Sequence, residues 1–372
     1  MSSPLLMKAV CAVSALHLAN RSQGFGAHTA AVKYYSGTLS GLRTALDKCT
    51  TEVFPDDAML AVGLLCKYEI VRGSVKQWVV HLNALQRLIV SRGGFASMDR
   101  DAAEFLRGLF VYAYNMARIS NRNYIPSPDF LVDSDIGIPK LDIYIGYTEE
   151  ILKLCTRIAE LPSLQSDTLA LRLSVASINE SLVTWSHTSA PCIIPQGTSP
   201  AILTRLQLVA ECFRDAGFVY LHSIMERISR TCPDNSSDTG SIVSGQLKDP
   251  SLSLQDWIPL ISMPKSLAVY RCLSRVETFP LGDHCEYSAL TFPLFISGCE
   301  TDNVADREIV LRSLGKLQDN FGIGNVRRAK ELLGILWARQ DANVDARFIG
   351  MGQKNVHWLD IVDELGWELI LA

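Results

Sequence analysis

The sequence has no closely spaced cysteine pair. Its ten cysteines, at positions 11, 49, 66, 155, 192, 212, 232, 272, 285 and 299, are never closer than thirteen residues. A structural zinc site aims two thiolates at one ion from a single tight turn, typically as C-x2-C. That spacing is absent, so no metal site is expected. Several cysteines lie inside apolar runs, Cys11 in AVCAVSAL and Cys66 in GLLCKY. They read as buried, reduced thiols of an intracellular protein. A basic excess is missing as well. Lys and Arg number 35 against 39 Asp and Glu, a net charge of −4, whereas nucleic-acid-binding domains concentrate positive charge on one face. The densest basic cluster, Arg327, Arg328 and Lys330, reads as a solvated helix face. The apolar run at 9–19, AVCAVSALHLA, is too short to span a bilayer and lacks the flanks of a signal peptide. No membrane segment is expected. G-x-S-x-G, G-x-G-x-x-G, P-loop and H-E-x-x-H patterns are all absent, so no cofactor is expected either.

Alternation of period two is nearly absent. Only residues 141–147, LDIYIGY, pass for a short strand, and nothing nearby offers it a partner. No repeat of fixed period is visible, which argues against a regular helical solenoid. What the chain does hold is apolar material at helical spacing. Apolar residues make up 48% of the 372 and charged residues 20%. With a mean hydropathy of +0.15, that composition suits a large core or an apolar ligand cavity and excludes general disorder.

In residues 74–92, Val75, Trp78, Val79, Leu82, Leu85 and Ile89 share one face, with Ser74 as N-cap and Gly93-Gly94 as the stop. Residues 56–70 start behind Pro55 on Asp56-Asp57, negative charge at the positive end of the helix dipole. Residues 324–340 repeat the pattern. Further helices are predicted at 4–20, 27–47, 100–120, 144–160, 166–187, 200–230, 265–278, 303–320 and 356–370. The fold class expected is all-α, a single large domain of about a dozen helices over 1–372. Proline-rich loops are expected at 121–140 and 188–200, and a polar, mobile loop at 232–250.

Some polar residues stand out against this apolar background. Trp78 and His81 lie three apart on one helix and Glu69 ends the preceding one, so a Glu69–His81 hydrogen bond between helices is expected, with Trp78 beside it. Tyr112, Tyr114 and Arg118 mark an inner helix, and Tyr114 and Arg118 share a face. His17 reads as a core histidine. The run Asp283-His284-Cys285 resembles an acid–imidazole–thiol set, but chain neighbours rarely converge on one point. Pro293, in FPLFISGCE, falls near the first turn of a helix, and Gly298 suits close helix packing.

The motifs, in order, are AVSALHLA at 12–19, the Tyr34-Tyr35 pair, DDAMLAVGLLCKYE at 56–69 and WVVHLNALQRLIVSRGG at 78–94. FPLFISGCE at 292–300, Arg307 and HWLDIVDELGWELILA at 357–372 complete the series. Together they resemble the second family of fungal-specific transcription factor domains, the large helical regulatory region that follows a binuclear zinc cluster. The resemblance spans almost the whole chain. It implies an all-helical fold and a regulatory role. The six-cysteine cluster of that family has no counterpart here, so a member without its DNA-binding head is expected, or one whose head is encoded elsewhere.

The first functional expectation is therefore a regulator that binds a small apolar metabolite or a partner protein without reading DNA directly. A homodimer, or a heterodimer with a complete regulator, is open. The alternative is a cofactor-independent enzyme of fungal secondary metabolism, a cyclase, isomerase or pericyclase such as a Diels-Alderase, working by shape and a few proton donors. Glu69, His81, Tyr114 and Arg118 are its candidate catalytic residues. Tyr68, Trp78, His81, Tyr114 and Arg118 are the candidate ligand contacts. The first reading places the protein in the nucleus and the second in the cytoplasm.

Overall fold

The computed structural model describes residues 3–22, 25–48, 54–121, 140–142, 145–188, 191–231, 257–278, 281–282, 284–348 and 356–371. The expected loops at 121–140 and 232–250, and Asp283, lie almost wholly outside them. Among the described residues the protein is all-α. The helices are α1 Pro4–Ser22, α2 Phe25–Lys48, α3 Asp56–Arg72, α4 Gln77–Ser91, α5 Arg100–Ser120, α6 Glu149–Glu160, α7 Thr168–Thr184, α8 Pro200–Thr231, α9 Lys265–Thr278, α10 Thr291–Cys299, α11 Val304–Phe321, α12 Gly324–Phe348 and α13 Trp358–Leu365. A 3-10 stretch, Cys285–Leu290, leads into α10.

Local chemistry sets the ends of these helices. The Asp99 carboxylate accepts from the amides of Asp101 and Ala102 to open α5, and Asn303 accepts from the Ala305 amide to open α11. α3 closes on Gly73 in the left-handed region, at φ 75°. Two starts differ from expectation. α4 begins at Gln77, because the Ser74 hydroxyl caps from outside: it accepts from the Gln77 amide at 2.9 Å and donates to the Gln77 side chain at 2.6 Å. α6 begins at Glu149 rather than near 144. Asp142 Oδ1 accepts from the Ile145 amide at 2.9 Å and Thr148 Oγ1 donates to the Ile145 carbonyl at 2.6 Å, a local turn that competes with the helix. The stretch at 141–147 forms no strand among the described residues. Leu141 makes a single backbone bond to Ile193, beside an isolated bridge between Lys140 and Ile193.

α10 is the axis of the core. All nine of its residues are buried. A Cβ at Gly298 would stand 3.0 Å from Val310 and 3.2 Å from Leu333, so glycine there lets α11 and α12 close on α10. Trp337 Nε1 donates to the Gly298 carbonyl at 2.9 Å. One large hydrophobic core runs through the molecule from Ala9 of α1 and Leu42 of α2 to α13 and the residues after it. A small second core, Ala12, Leu16, Ala31, Tyr68 and Val71, ties the α1–α2 hairpin to α3.

The last residues stitch distant elements together. Trp78 Nε1 donates to the Glu368 carbonyl at 2.7 Å, the Glu368 amide donates to the Val75 carbonyl at 2.9 Å, and Ser120 Oγ donates to the Leu369 carbonyl. Of the cysteines described, 66, 155, 212, 272 and 299 are buried free thiols, 11 and 192 are half-buried, and 285 is exposed. No described helix is long and apolar enough to cross a membrane.

Candidate functional site

A cavity of about 230 Å³ opens where the two cores meet. α1 contributes His17, α3 contributes Lys67, Ile70 and Val71, and α5 contributes Tyr112. The 3-10 stretch contributes Cys285, Ser288 and Ala289, and the α11–α12 corner closes the far side with Asn320, Phe321 and Ile323. The placement follows from helix geometry. Lys67, Ile70 and Val71 are three and four apart, so they share the edge of α3 that lies between the cores. Val71 belongs to the small core and Ile70 to the large one.

The polar groups of this wall are specific. His17 Nδ1 meets the Phe321 carbonyl at 2.7 Å. A carbonyl only accepts, so Nδ1 carries the proton and Nε2 holds the lone pair. Burial lowers the His17 pKa, and the charges of Lys67 and Arg21 add to that against the hydrogen bond to Phe321, which favours the neutral ring. Burial also lowers Lys67, with the charge of Asp142 opposing. The Tyr112 hydroxyl is buried with no hydrogen-bond partner, and burial pushes its pKa well up, so it stays a donor. Cys285 is a poor nucleophile: burial and the adjacent Glu286 carboxylate both raise its thiol pKa. Asn320 is already committed, donating to the carbonyls of Leu281 and Gly282 at 3.3 and 3.0 Å.

The residues singled out in sequence lie elsewhere. Glu69 and His81 share no hydrogen bond among the described residues; Tyr35 of α2 stands between them. Its hydroxyl is 3.1 Å from His81 Nε2, its ring stacks on Tyr68 at 4.4 Å, and its pKa is raised by burial and by Glu69. Glu69 is 1% exposed, has Arg72 at 3.8 Å, and leaves Oε2 without a hydrogen bond. Trp78 serves the C-terminal segment instead of this cluster. On α5, Tyr114 stacks on Phe110 at 5.8 Å and Arg118 is bonded to Glu160 of α6. None of Tyr68, Glu69, Trp78, His81, Tyr114 and Arg118 lines the cavity.

A second polar group looks like a hydrolytic triad. Ser223 Oγ of α8 is 2.9 Å from His357 Nε2 and 2.6 Å from Glu300 Oε1. Two of the sequence motifs, FPLFISGCE and HWLDIV, meet here. The protons run the wrong way for catalysis. His357 Nδ1 accepts the Leu359 amide at 3.1 Å, so the ring proton is on Nε2 and is donated to Ser223. Ser223 then donates to Glu300, whose other oxygen binds Lys265 at 2.9 Å. A histidine that donates to the serine cannot be its base, so this group fastens α8, α9, α10 and α13 together. Nothing in the local sequence around Ser223 marks it. Among the described residues, no group of three or more His, Cys, Asp or Glu is arranged to hold a metal ion.

Comparison with known proteins gives one match. The model of a family described as fungal specific transcription factor domain covers residues 1–372. No curated protein and no solved structure matches the chain.

Proposed function

The chain belongs to the fungal specific transcription factor domain family, and we propose from that premise that it is a regulatory domain controlled by a small molecule bound in the cavity between α1, α3, α5 and Cys285–Leu290. Membership supports a role of the regulatory type. The observation that carries the finer reading is the Tyr112 hydroxyl, buried at this cavity without a partner. A buried unpaired hydroxyl costs about 1–3 kcal/mol. A fold keeps such a cost most readily where a ligand removes it.

The regulatory reading also fits the wall around the ligand. α1 is fastened to the α11–α12 corner by His17 to Phe321 at 2.7 Å and by Asn20 Nδ2 to the Gly322 carbonyl at 2.7 Å. Asn20 also donates to the Val71 carbonyl at 3.2 Å. A ligand between these elements therefore has a direct mechanical route to the α1–α2 hairpin and to the C-terminal helices. No DNA-reading motif stands in these 372 residues, so the proposed output is a change in partner binding, with action in the nucleus.

The geometry gives the enzyme reading little help. Glu69 on α3 and His81 on α4 both meet Tyr35, Tyr114 and Arg118 share α5, and none of the four lines the cavity described above. The test is a thermal-shift screen of small metabolites against the wild type and Ser288→Phe, which fills the cavity. Compounds that raise the melting temperature of the wild type and leave the filled variant unmoved are expected. A screen in which every stabilising compound acts equally on both proteins overturns the assignment.

A further inference from the structure

The α1–α2 hairpin buries one face and leaves the other bare. Ala12, Leu16 and Ala31 turn inward to the small core, and Ala9 and Leu42 reach the large one. Outward, Met7, Val10 and Leu18 fall on one side of α1, and Val32, Leu39 and Leu46 follow each other at steps of seven along α2. All six are exposed, and the two helices hold seven of the twenty exposed large hydrophobic side chains among the described residues. Single exposed apolar residues mean little, but rows of them mark interaction surfaces. Cations share these rows. Arg21 lies three residues beyond Leu18, and Arg43 stands between Leu39 and Leu46 at helical spacing. Over residues 4–48 the sequence carries Lys8, Arg21, Lys33, Arg43 and Lys48 against Asp47 as its one acid, on a chain whose net charge is −4. Several arginines elsewhere are paired, as Arg107 is with Glu149, Arg205 with Glu286 and Arg307 with Asp341. Among the described residues, Lys8, Arg21, Lys33 and Arg43 make no ion pair.

We propose that the outer face of the α1–α2 hairpin is a docking surface for an acidic amphipathic helix of a partner protein. The partner's apolar residues lie along the row of Val32, Leu39 and Leu46, and its flanking Asp and Glu side chains meet Lys33 and Arg43. An exposed row that repeats every seven residues is the pattern a second helix packs against lengthwise. Charge decides what kind of helix. With five cations to one acid, the hairpin repels a basic segment and attracts an acidic one. The same balance argues against a second copy seated on this face. A two-fold contact sets a surface against itself, and here it would set like charges together. An anionic lipid surface fits less well. A helix lying in a membrane interface keeps its cations on the side away from the acyl chains, whereas Arg21 and Arg43 continue the apolar rows. A carboxylate at the matching turn of a partner helix pairs with each of them in place. This inference is independent of the cavity, because it needs no ligand there.

The experiment is fluorescence anisotropy on the full chain with two labelled helical peptides of about three heptads. Both carry leucine at the a and d positions; one has glutamate at the flanking positions and the other has lysine. The glutamate peptide is expected to bind about ten-fold more tightly than the lysine peptide, with an advantage that shrinks as salt is raised. Arg43→Glu lowers that ratio, and Leu39→Glu weakens the glutamate peptide about ten-fold. Leu173→Glu, on α7, changes neither. All three side chains are exposed, and circular dichroism checks that each variant keeps its helices. Equal binding of the two peptides, no binding of the glutamate peptide, or binding that Leu39→Glu and Leu173→Glu weaken alike overturns the assignment. Two further readouts separate other occupants. Sedimentation that shows a dimer lost in Leu39→Glu gives the face to a second copy. Flotation with vesicles containing phosphatidylserine, but not with phosphatidylcholine alone, that is lost in Leu39→Glu gives it to a membrane. Either result overturns the partner helix.

Discussion

At the scale of single residues, the side chains with the greatest contrast are those whose bonding is incomplete. The Tyr112 hydroxyl is buried and unpartnered, so the ligand-free protein carries its desolvation without a compensating bond. Tyr112→Phe keeps the ring and removes the oxygen. It is expected to raise unfolding stability by about 1 kcal/mol in the absence of ligand, read as a higher urea midpoint with unchanged slope. Trp78→Phe is the opposite case. It deletes the bond to the Glu368 carbonyl and leaves a void beneath a fully buried ring, at a cost of about 2–4 kcal/mol. A Tyr112→Phe protein less stable than the wild type means that the hydroxyl has a partner and that the cavity loses its main support. Sequence reading reached some of this. Tyr112 was legible as part of an inner helix, but periodicity alone does not separate its role from that of Tyr114, two residues on. Lys67 was legible only as a polar interruption of α3. Nothing in a one-dimensional pattern shows that it faces His17 and the 3-10 stretch, more than two hundred residues later. The expected Glu69–His81 hydrogen bond is not formed among the described residues, and Tyr35, which meets His81 instead, was hidden because it arrives from α2.

At the scale of elements, the helices themselves were legible, because amphipathic spacing and end signals act locally. Trp78, Leu82, Leu85 and Ile89 are all buried on α4, as their steps of three and four require. The starts of α4 and α6 shifted because Ser74 and Asp142 make turns that compete with the first helical bonds. Where elements touch was not legible, and glycine shows why. Gly73 ends α3 and Gly324 starts α12, and each sits against the other's backbone. A Cβ on Gly73 would lie 2.5 Å from the Gly324 carbonyl oxygen, and one on Gly324 would lie 2.5 Å from the Arg72 carbonyl carbon. Backbone cannot give way as a side chain does, so Gly324→Ala is expected to cost about 2–3 kcal/mol. Gly334 provides the control on the same helix. It is exposed with nothing within 4 Å of its Cβ position, so Gly334→Ala is expected to add about 0.5–1 kcal/mol through helix propensity. Chemical denaturation of the two variants should move in opposite directions. Equal small effects would mean that the ends of α3 and α12 do not meet as described.

At the scale of the whole molecule, buried ionisable groups link stability to pH, and their signs differ. His17, His81 and His222 all have pKa values lowered from 6.5, each mainly by burial. Below 6.5 the unfolded chain takes up protons that the folded protein refuses, so their contribution is complete above 6.5 and is lost as the pH falls toward the folded values. Asp215 runs the other way. It is fully buried, and burial raises its pKa from 3.8 to about 6 despite Arg275 and Arg271 nearby. The folded protein holds that proton more tightly, so stability from Asp215 falls as pH rises from 3.8 to about 6 and is constant above. Three groups oppose one, and on acidification the histidine loss opens at 6.5, where the unfolded imidazoles take up protons, before Asp215 begins to gain at about 6. The urea midpoint is therefore expected to fall between about pH 7.5 and pH 5.5. His81→Gln isolates one contribution. Its midpoint should depend less steeply on pH over that window, because the imidazole whose proton uptake drives the loss is gone. A midpoint that instead rises on acidification would place the balance with Asp215 and its arginines, and would mean that the three imidazoles are already charged in the folded state. Charged imidazoles would also remove the lone pair from His17 Nε2 and add a further cation to the cavity wall.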